Sequence, residues 1–284
     1  MEIKVLGTVA PIPSGDMNCP GFLVSHDDYR IMLDCGNGST RLIDRYKDLK
    51  NLIIILSHFH PDHYADIFAM GNLTYIQNKY GYLDERINVY HPKGCESKKD
   101  EKQILVPVLI PDHDFIKNTN HEHFLNFNDY SSVDNLTHGD MKITFYKTLH
   151  GLNGHAVRIE SDSGVLVYSG DTGYDENIKE FAKNADAFIC EATFLRGQLK
   201  GENTHLYAHE AGRLASLAQV KDLYLFHTYP DFNKEDYVNE AKEIFPNTHS
   251  LREGQILTLN KEANLWKQLY MLVVLIHLLM DIYM

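Results

Sequence analysis

The sequence predicts an α/β protein, α+β in type, in which two mixed β-sheets pack together with helices outside. Three observations carry that prediction. Short β-rich segments bounded by turn residues fill the first third of the chain. Strand patterns then alternate with helix patterns. Both halves of the chain follow this order, without a Pro- or Gly-rich linker or an internal repeat. With 284 residues there is ample chain for one buried core.

The elements follow in order. Ile3 to Leu6, Gly21 to Ser25, Arg30 to Leu33 and Leu52 to Leu56 read as strands, with a turn at residues 26–30. "DCGNGS" closes a strand and opens a predicted helix over Thr40 to Asp48, with Ser39 as its N-cap. A second helix is expected over 66–80 and a strand over Ile87 to Tyr90. Residues 91–140 are polar and hold Pro92, Pro107 and Pro111. They read as loops with one or two short elements and a hairpin approach, an insertion that shapes the pocket. Strands return at Met141 to Thr148, His155 to Glu160 and Val165 to Tyr168, the last two joined by the tight turn Ser161 to Gly164. Then come a helix over Asn177 to Asn184, a strand over Ala187 to Cys190, and an Ala-rich helix over Ala208 to Gln219. Leu223 to Phe226 (strand), Glu235 to Ile244 (helix) and Gln255 to Leu259 (strand) complete the domain, residues 1–260.

Residues 261–284 form an apolar tail with no amphipathic stripe, expected to be helical. Its stretch without formal charge runs from Gln268 to Met280. At about 1.5 Å per residue that gives only about 20 Å of helix. A membrane core needs about 30 Å. Four readings of the tail compete: a helix docked on the domain, a homodimer contact, a membrane-surface anchor, or an atypical end of this chain, with membrane contact not favoured.

The net charge of −12 repels a polyanion and disfavours broad nucleic-acid binding. The four cysteines form no C-x-x-C pair or disulfide framework, which points to reduced thiols in a cytoplasmic protein. The opening MEIKVLGT reads as a first strand rather than a signal peptide.

Histidine is the outlier, with 16 in the chain. "HFHPDH" places His58, His60, Asp62 and His63 directly after the apolar run LIIIL. Neutral imidazole and carboxylate suit zinc and similar divalent ions. In an extended segment His58 and His60 face the same way. Asp62 and His63 lie past Pro61, where the chain turns, so they can serve a second position nearby. One segment can thus feed two adjacent metals, as in hydrolytic sites with ions ~3.5–4 Å apart. More ligands are needed. His150, Asp171 and His227 each end or closely follow an apolar strand, as His58 does. Taken singly, each also reads as a turn aspartate or a hydrogen-bonded histidine. The recurrence at strand ends favours the metal reading.

These residues carry a family resemblance. HFHPDH, the strand-end His150, SGDTG and FHTYP resemble the ordered motifs of the metallo-β-lactamase superfamily. "LGTVAPIPSGDMNCPGFLV", "IMLDCGNGS" and "THLYAHEAGRLA" add to it, and the whole resembles the ribonuclease Z-like branch over about residues 1–260. The resemblance implies a four-layer αββα sandwich. It implies one ion on His58, His60 and His150, and another on Asp62, His63 and His227, with Asp171 bridging. Zinc is the expected ion, with manganese or iron in relatives.

The expected chemistry is hydrolysis by hydroxide formed on the metal, with Asp62 orienting the nucleophile or accepting its proton. His205 is placed by the resemblance near a scissile phosphate or leaving group. A surface or capping role is its alternative. His209 and Glu210 read as structural. His155 reads as a pocket residue, Asp34 as a turn anchor, and Cys35 and Cys190 as buried small residues. His26, His91, His113, His138 and His249 read as loop histidines, and His121 with His123 as a chance pair. The favoured function is phosphodiester hydrolysis on a small anionic, nucleotide-like substrate. Carboxyl ester, lactone or aryl sulfate hydrolysis on the same metals is the alternative. Transfer-RNA 3′ processing is disfavoured, because the 20 residues between His150 and Asp171 leave no room for an RNA-gripping arm. A non-catalytic metal-binding module is the remaining class.

Overall fold

The first seven-stranded sheet contains β1 (Glu2–Gly7), β2 (Gly21–His26), β3 (Tyr29–Leu33), β4 (Leu52–Ile55), β5 (Ile87–His91), β6 (Leu125–Asp129) and, at its other edge, β14 (Ile256–Thr258). The second contains β7 (Leu136–His138), β8 (Met141–Lys147), β9 (His155–Ser161), β10 (Gly164–Tyr168), β11 (Ala187–Glu191), β12 (Asp222–Phe226) and β13 (Thr248–Ser250). This computed structural model describes residues 1–93, 124–131, 133–151, 153–198, 201 and 203–260. Both sheets are mixed. Strands β3 to β6 run parallel, as do β10 to β13, while β1–β2–β3 and β7–β8–β9–β10 are antiparallel.

Side-chain alternation along the strands makes the layers. Ile53 and Ile55 of β4 point between the sheets, where they meet Ile31, Leu33, Val157, Leu166 and Tyr168. Leu52, Ile54 and Leu56 point the other way, against Ile67 and Met70 of the helix α2 (Ile67–Lys79). The outer face of the second sheet is covered by α3 (Ile178–Phe181), α4 (Ala208–Ala218) and α5 (Lys234–Lys242). The order is helix, sheet, sheet, helix, as expected. A strand covered on both faces must be apolar at every position. That is why LIII is so legible. Burying its four side chains contributes on the order of 6–12 kcal/mol before entropy is counted.

Several elements differ from expectation. Thr40 to Asp48 is not a helix. A 3₁₀ turn covers Ser39–Leu42, with Gly38 rather than Ser39 at its N-cap, and irregular turns follow. The carboxylate of Asp66 takes both the amide and the hydroxyl of Thr40, and Asp44 takes the amides of Tyr46 and Lys47. Such local side-chain bonds compete with the helical ladder. The helix expected over Asn177 to Asn184 shrinks to Ile178–Phe181, because Asn184 turns left-handed (φ 56°) and donates to the Ala218 carbonyl. His26, His91, His138 and His249 lie in strands rather than loops. Strand β6 lies in the polar stretch expected to be loops, yet Leu125 is buried in the outer apolar cluster and Phe127 packs against it. On the alternate positions Asn126 and Asn128 reach Asn88 on β5, and a polar edge resists pairing with other chains. Much of the insertion (residues 94–123, with Cys95, His113, His121 and His123) and the whole tail from 261 lie outside the described residues. Among the described residues, no helix is long and apolar enough to cross a membrane.

Candidate metal centre

The C-terminal ends of β3, β4, β8, β10, β11 and β12 converge at one pole of the sandwich. After β4 the chain runs extended through His58 to His60. Pro61 then opens the short helix α1 (Pro61–Tyr64), which turns Asp62 and His63 inward. Gly36, in the turn after β3, lies directly against this segment: a Cβ there would sit 2.0 Å from the Asp62 carbonyl oxygen. Gly170 has φ 54° and sets the bend that brings Asp171 inward from β10.

All seven predicted residues meet there. His60 Nδ1 is 2.9 Å from both His58 Nε2 and His150 Nε2. Asp171 Oδ2 lies 3.5 Å from His58 Nε2 and 3.8 Å from His150 Nε2. Its Oδ1 is 3.2 Å from His63 Nε2, and its Oδ2 is 3.2 Å from His227 Nε2. Asp62 Oδ2 lies 3.4 Å from His227 Nε2 and 3.7 Å from His63 Nε2. Two groups emerge, His58, His60, His150 and Asp171, and Asp62, His63 and His227, with Asp171 close to both.

The residues fit divalent ions. His63 Nε2, His227 Nε2 and both carboxylate oxygens of Asp171 are buried without a hydrogen-bond partner. Leaving such groups unsatisfied costs about 1–3 kcal/mol each, and a cation among them removes that cost. The nitrogen and oxygen donors are those of zinc and related ions.

The outer nitrogens set the tautomers. His58 Nδ1 lies 3.0 Å from Ser57 Oγ, whose proton goes to Asp34. His63 Nδ1 donates to Asp34 at 2.6 Å, and His150 Nδ1 donates to the Thr204 carbonyl at 3.0 Å. His227 Nδ1 donates to Thr193 Oγ1 at 2.8 Å, and that hydroxyl donates to Glu191. Four rings thus carry a proton on Nδ1 and turn Nε2 inward, the nitrogen a metal would take. His60 alone turns Nδ1 toward the centre.

Charge balance agrees. Burial pushes His58 well down, His60 to about 4, and His150 down, so these rings are neutral, the ligand form. Burial also opposes charge on His63 and His227, yet the surrounding carboxylates together outweigh it, Asp171 with Asp34 and Asp62 at His63 and Asp171 with Asp62 and Glu191 at His227, and drive both up, His227 to about 10. The carboxylates thus call for positive charge in their midst.

His205 lies beside the cluster. Its ring stacks on His227 with centroids 5.1 Å apart and meets His150 edge-on at 5.1 Å. Its Nδ1 is 3.0 Å from Glu191 Oε1, which leaves Nε2 for a ligand. Burial opposes charge on this ring, but the charge and hydrogen bond of Glu191, together with Asp171, overcome it and raise its pKa. His209 instead bonds Glu240 at 2.7 Å, and Glu210 accepts the Tyr207 amide at 2.9 Å, so both are structural as expected. His155 Nδ1 bonds the Asn153 carbonyl, and its ring meets Tyr130 edge-on.

Three buried residues that brace the segments carrying the cluster were missed or undervalued. Glu191 is fully buried and accepts from Thr172 N, Leu206 N, Thr193 Oγ1 and His205. Asp34 anchors more than its turn. It accepts from Ser57 N, Ser57 Oγ, Tyr168 OH and His63 Nδ1. Both end apolar strands, "AFICE" and "RIMLD", so the strand-end signal that picked out His150 applies to them too. Tyr130, whose hydroxyl bonds the Leu56 carbonyl at 2.9 Å, had no such signal. Cys19, Cys35 and Cys190 are free and buried, and burial pushes their thiols up, Cys19 to about 12, so they are not reactive thiolates.

The chain is similar to known proteins in sequence and in fold. The family model described as Beta-lactamase superfamily domain matches residues 29–228. The probable metallo-hydrolase YhfI of Bacillus subtilis is 30% identical over 248 residues, spanning 86% of this chain and 94% of its own. The crystal structure of that YhfI superposes with a TM-score of 0.77 at 25% identity, covering 90% of this chain and 98% of the other. Ribonuclease Z of Thermococcus sibiricus is 28% identical over 283 residues, spanning 86% of this chain and 91% of its own. The short form of human tRNase Z has a TM-score of 0.66 at 15% identity, covering 91% of this chain and 99% of that one, a likeness of fold alone. The chain belongs to the beta-lactamase superfamily and is a metal-dependent hydrolase of the metallo-β-lactamase fold, with its candidate metal centre at the converging strand ends.

Proposed function

We propose that the protein is a binuclear phosphodiesterase acting on a small, nucleotide-like anion. The observation that carries this reading is His205. It stands beside the seven-residue cluster, anchored through Nδ1 by the buried Glu191, with its Nε2 left over. The seven residues would hold two divalent ions, zinc by donor type. Ions so held lower the pKa of water toward neutrality and stabilise negative charge on a reacting oxygen.

The chain's own residues supply the rest. The outer bonds of His58, His63, His150 and His227 keep their Nε2 lone pairs pointed inward. Asp62, held at 8% exposure by α1, can orient a nucleophile or take its proton. His205 can bind a phosphoryl oxygen through Nε2 or protonate the leaving oxygen, while Glu191 holds the ring in place.

Ester, lactone or sulfate hydrolysis on the same residues is the second reading. Relatives named ribonuclease Z raise transfer-RNA processing as a third. Against it, the interval from His150 to Asp171 holds only the tight β9–β10 hairpin, and the net charge is −12. The test is a substrate panel of bis(p-nitrophenyl) phosphate, p-nitrophenyl acetate, p-nitrophenyl sulfate and an unprocessed transfer RNA. Preference for the diester supports the proposal. Preference for the ester, the sulfate or the RNA refutes it.

A further inference from the structure

His227 stands apart among the seven residues. Its backbone is left-handed, with φ 59°. A residue with a Cβ stays in that region only where its surroundings hold it. The holding contact is Thr8, in the loop after β1. The Thr8 carbonyl accepts the His227 amide at 2.7 Å and the Thr228 amide at 3.3 Å. Val9 bridges Thr228, and the Ala10 amide donates to the Thr228 carbonyl at 3.2 Å. The loop therefore clasps the end of β12.

Thr8 is in turn held by two charged side chains. Its hydroxyl donates to Glu253 Oε1 at 3.0 Å and accepts from Lys234 Nζ at 2.7 Å. Lys234 Nζ also donates to the Leu251 carbonyl at 3.1 Å and lies 3.8 Å from Glu253 Oε2. Both side chains are largely buried, at 23% and 15% exposure. Lys234 occupies the first turn of α5, beside Glu235 and Asp236. A helix N-terminus favours acids and disfavours a cation, so this lysine is in the wrong place for its own helix. Its ammonium is instead spent on Thr8, Leu251 and Glu253. Three remote segments meet at one threonine, whose carbonyl fixes a candidate metal-binding histidine.

We propose that Lys234, acting with Glu253 through Thr8, is a positioning residue that holds His227 in its left-handed conformation at the metal centre. The inference rests on the two-ion reading of the cluster. It assigns to Lys234 an effect on the group Asp62, His63 and His227, with none on His58, His60 and His150.

The test is zinc titration of metal-stripped protein against a chromophoric chelator. Wild type, Lys234→Met, Thr8→Val and the double variant are compared. Val238→Ala, on the buried face of α5, serves as a purely structural control. The expected result is two zinc-binding steps in wild type, one of them weakened about 10-fold or more in each single variant. The double variant is no worse than the singles, because both break one chain of contacts. Val238→Ala lowers the melting temperature and leaves the ratio of the two steps unchanged. Wild-type binding in both single variants overturns the inference alone. So does parallel weakening of both steps, which marks a general brace. Absence of zinc binding by the wild-type chain overturns the two-ion reading, and the inference with it.

Discussion

Replacing Asp34 by Asn changes one atom and inverts a donor–acceptor relation beneath the metal centre. Asp34 is fully buried and meets four donors: Ser57 N and Oγ at 2.6 and 2.7 Å, Tyr168 OH at 2.6 Å and His63 Nδ1 at 2.6 Å. An amide keeps one oxygen and puts two N–H groups among those donors. The Ser57 amide cannot turn away, so the remaining oxygen faces it. The two hydroxyls can rotate and accept. His63 can accept at Nδ1 only by moving its proton to Nε2, the nitrogen 3.2 Å from Asp171. A protonated Nε2 cannot bind a metal. Losing such an outer partner weakens metal binding about 10–100-fold, which is about 1.4–2.7 kcal/mol. Hydrogen bonds to a buried carboxylate contribute about 1.5–3 kcal/mol each, so the metal-free variant also loses on the order of 2–4 kcal/mol of stability. Chelator competition measures the first quantity and urea unfolding the second. Unchanged zinc affinity in Asp34→Asn would refute the tautomer argument.

Other substitutions separate chemistry from scaffold. His205→Ala is expected to lower kcat about 100-fold while metal content stays at the wild-type level, measured by steady-state kinetics and elemental analysis of one sample. Gly36→Ala places a Cβ 2.0 Å from the Asp62 carbonyl, so it should cost about 1–3 kcal/mol in urea unfolding and reduce metal content together. At Glu240 burial opposes charge, but bonds from the amides of Arg196 and His209 and from the His209 ring outweigh it, holding the carboxyl below its ordinary 4.5. A depressed carboxylate pKa stabilises the fold above that ordinary value, and the benefit is lost as pH falls through the folded value. Glu240→Gln should therefore be less stable than wild type at neutral pH, with the difference shrinking as pH falls below 4.5 and through the folded value. A difference that persists undiminished into acid contradicts that assignment.

The sandwich and the centre were legible for the same reason. Strands buried on both faces must be apolar throughout, and side chains that bind metal cannot lie in those strands, so they appear as abrupt polar punctuation at the ends. LIIIL followed by HFHPDH is the sharpest case. What escaped was held by remote partners. The bond from Tyr168 to Asp34 joins residues 134 positions apart, and no local pattern announces it. The same holds for the left-handed His227 and its clasp from Thr8. Thr40 to Asp48 misled because Ser39 reads as an N-cap in sequence, while Asp44 and Asp48 bond neighbouring amides in turns that replace the helix. Strand β6 was hidden because only Leu125 and Phe127 break an otherwise polar, Asn-rich stretch whose amides bond Asn88 on β5.

The most direct test is a count of metal ions on the purified protein, paired with diester hydrolysis by the same sample. Elemental analysis after incubation with zinc should give about two ions per chain, the spacing class that two-metal hydrolases use. Hydrolysis of bis(p-nitrophenyl) phosphate should accompany them, and Asp171→Ala, which removes the carboxylate close to both groups, should abolish both together. A chain that binds no ion, with either zinc or manganese, contradicts the metal centre. A chain with two ions that leaves the diester intact contradicts the phosphodiesterase.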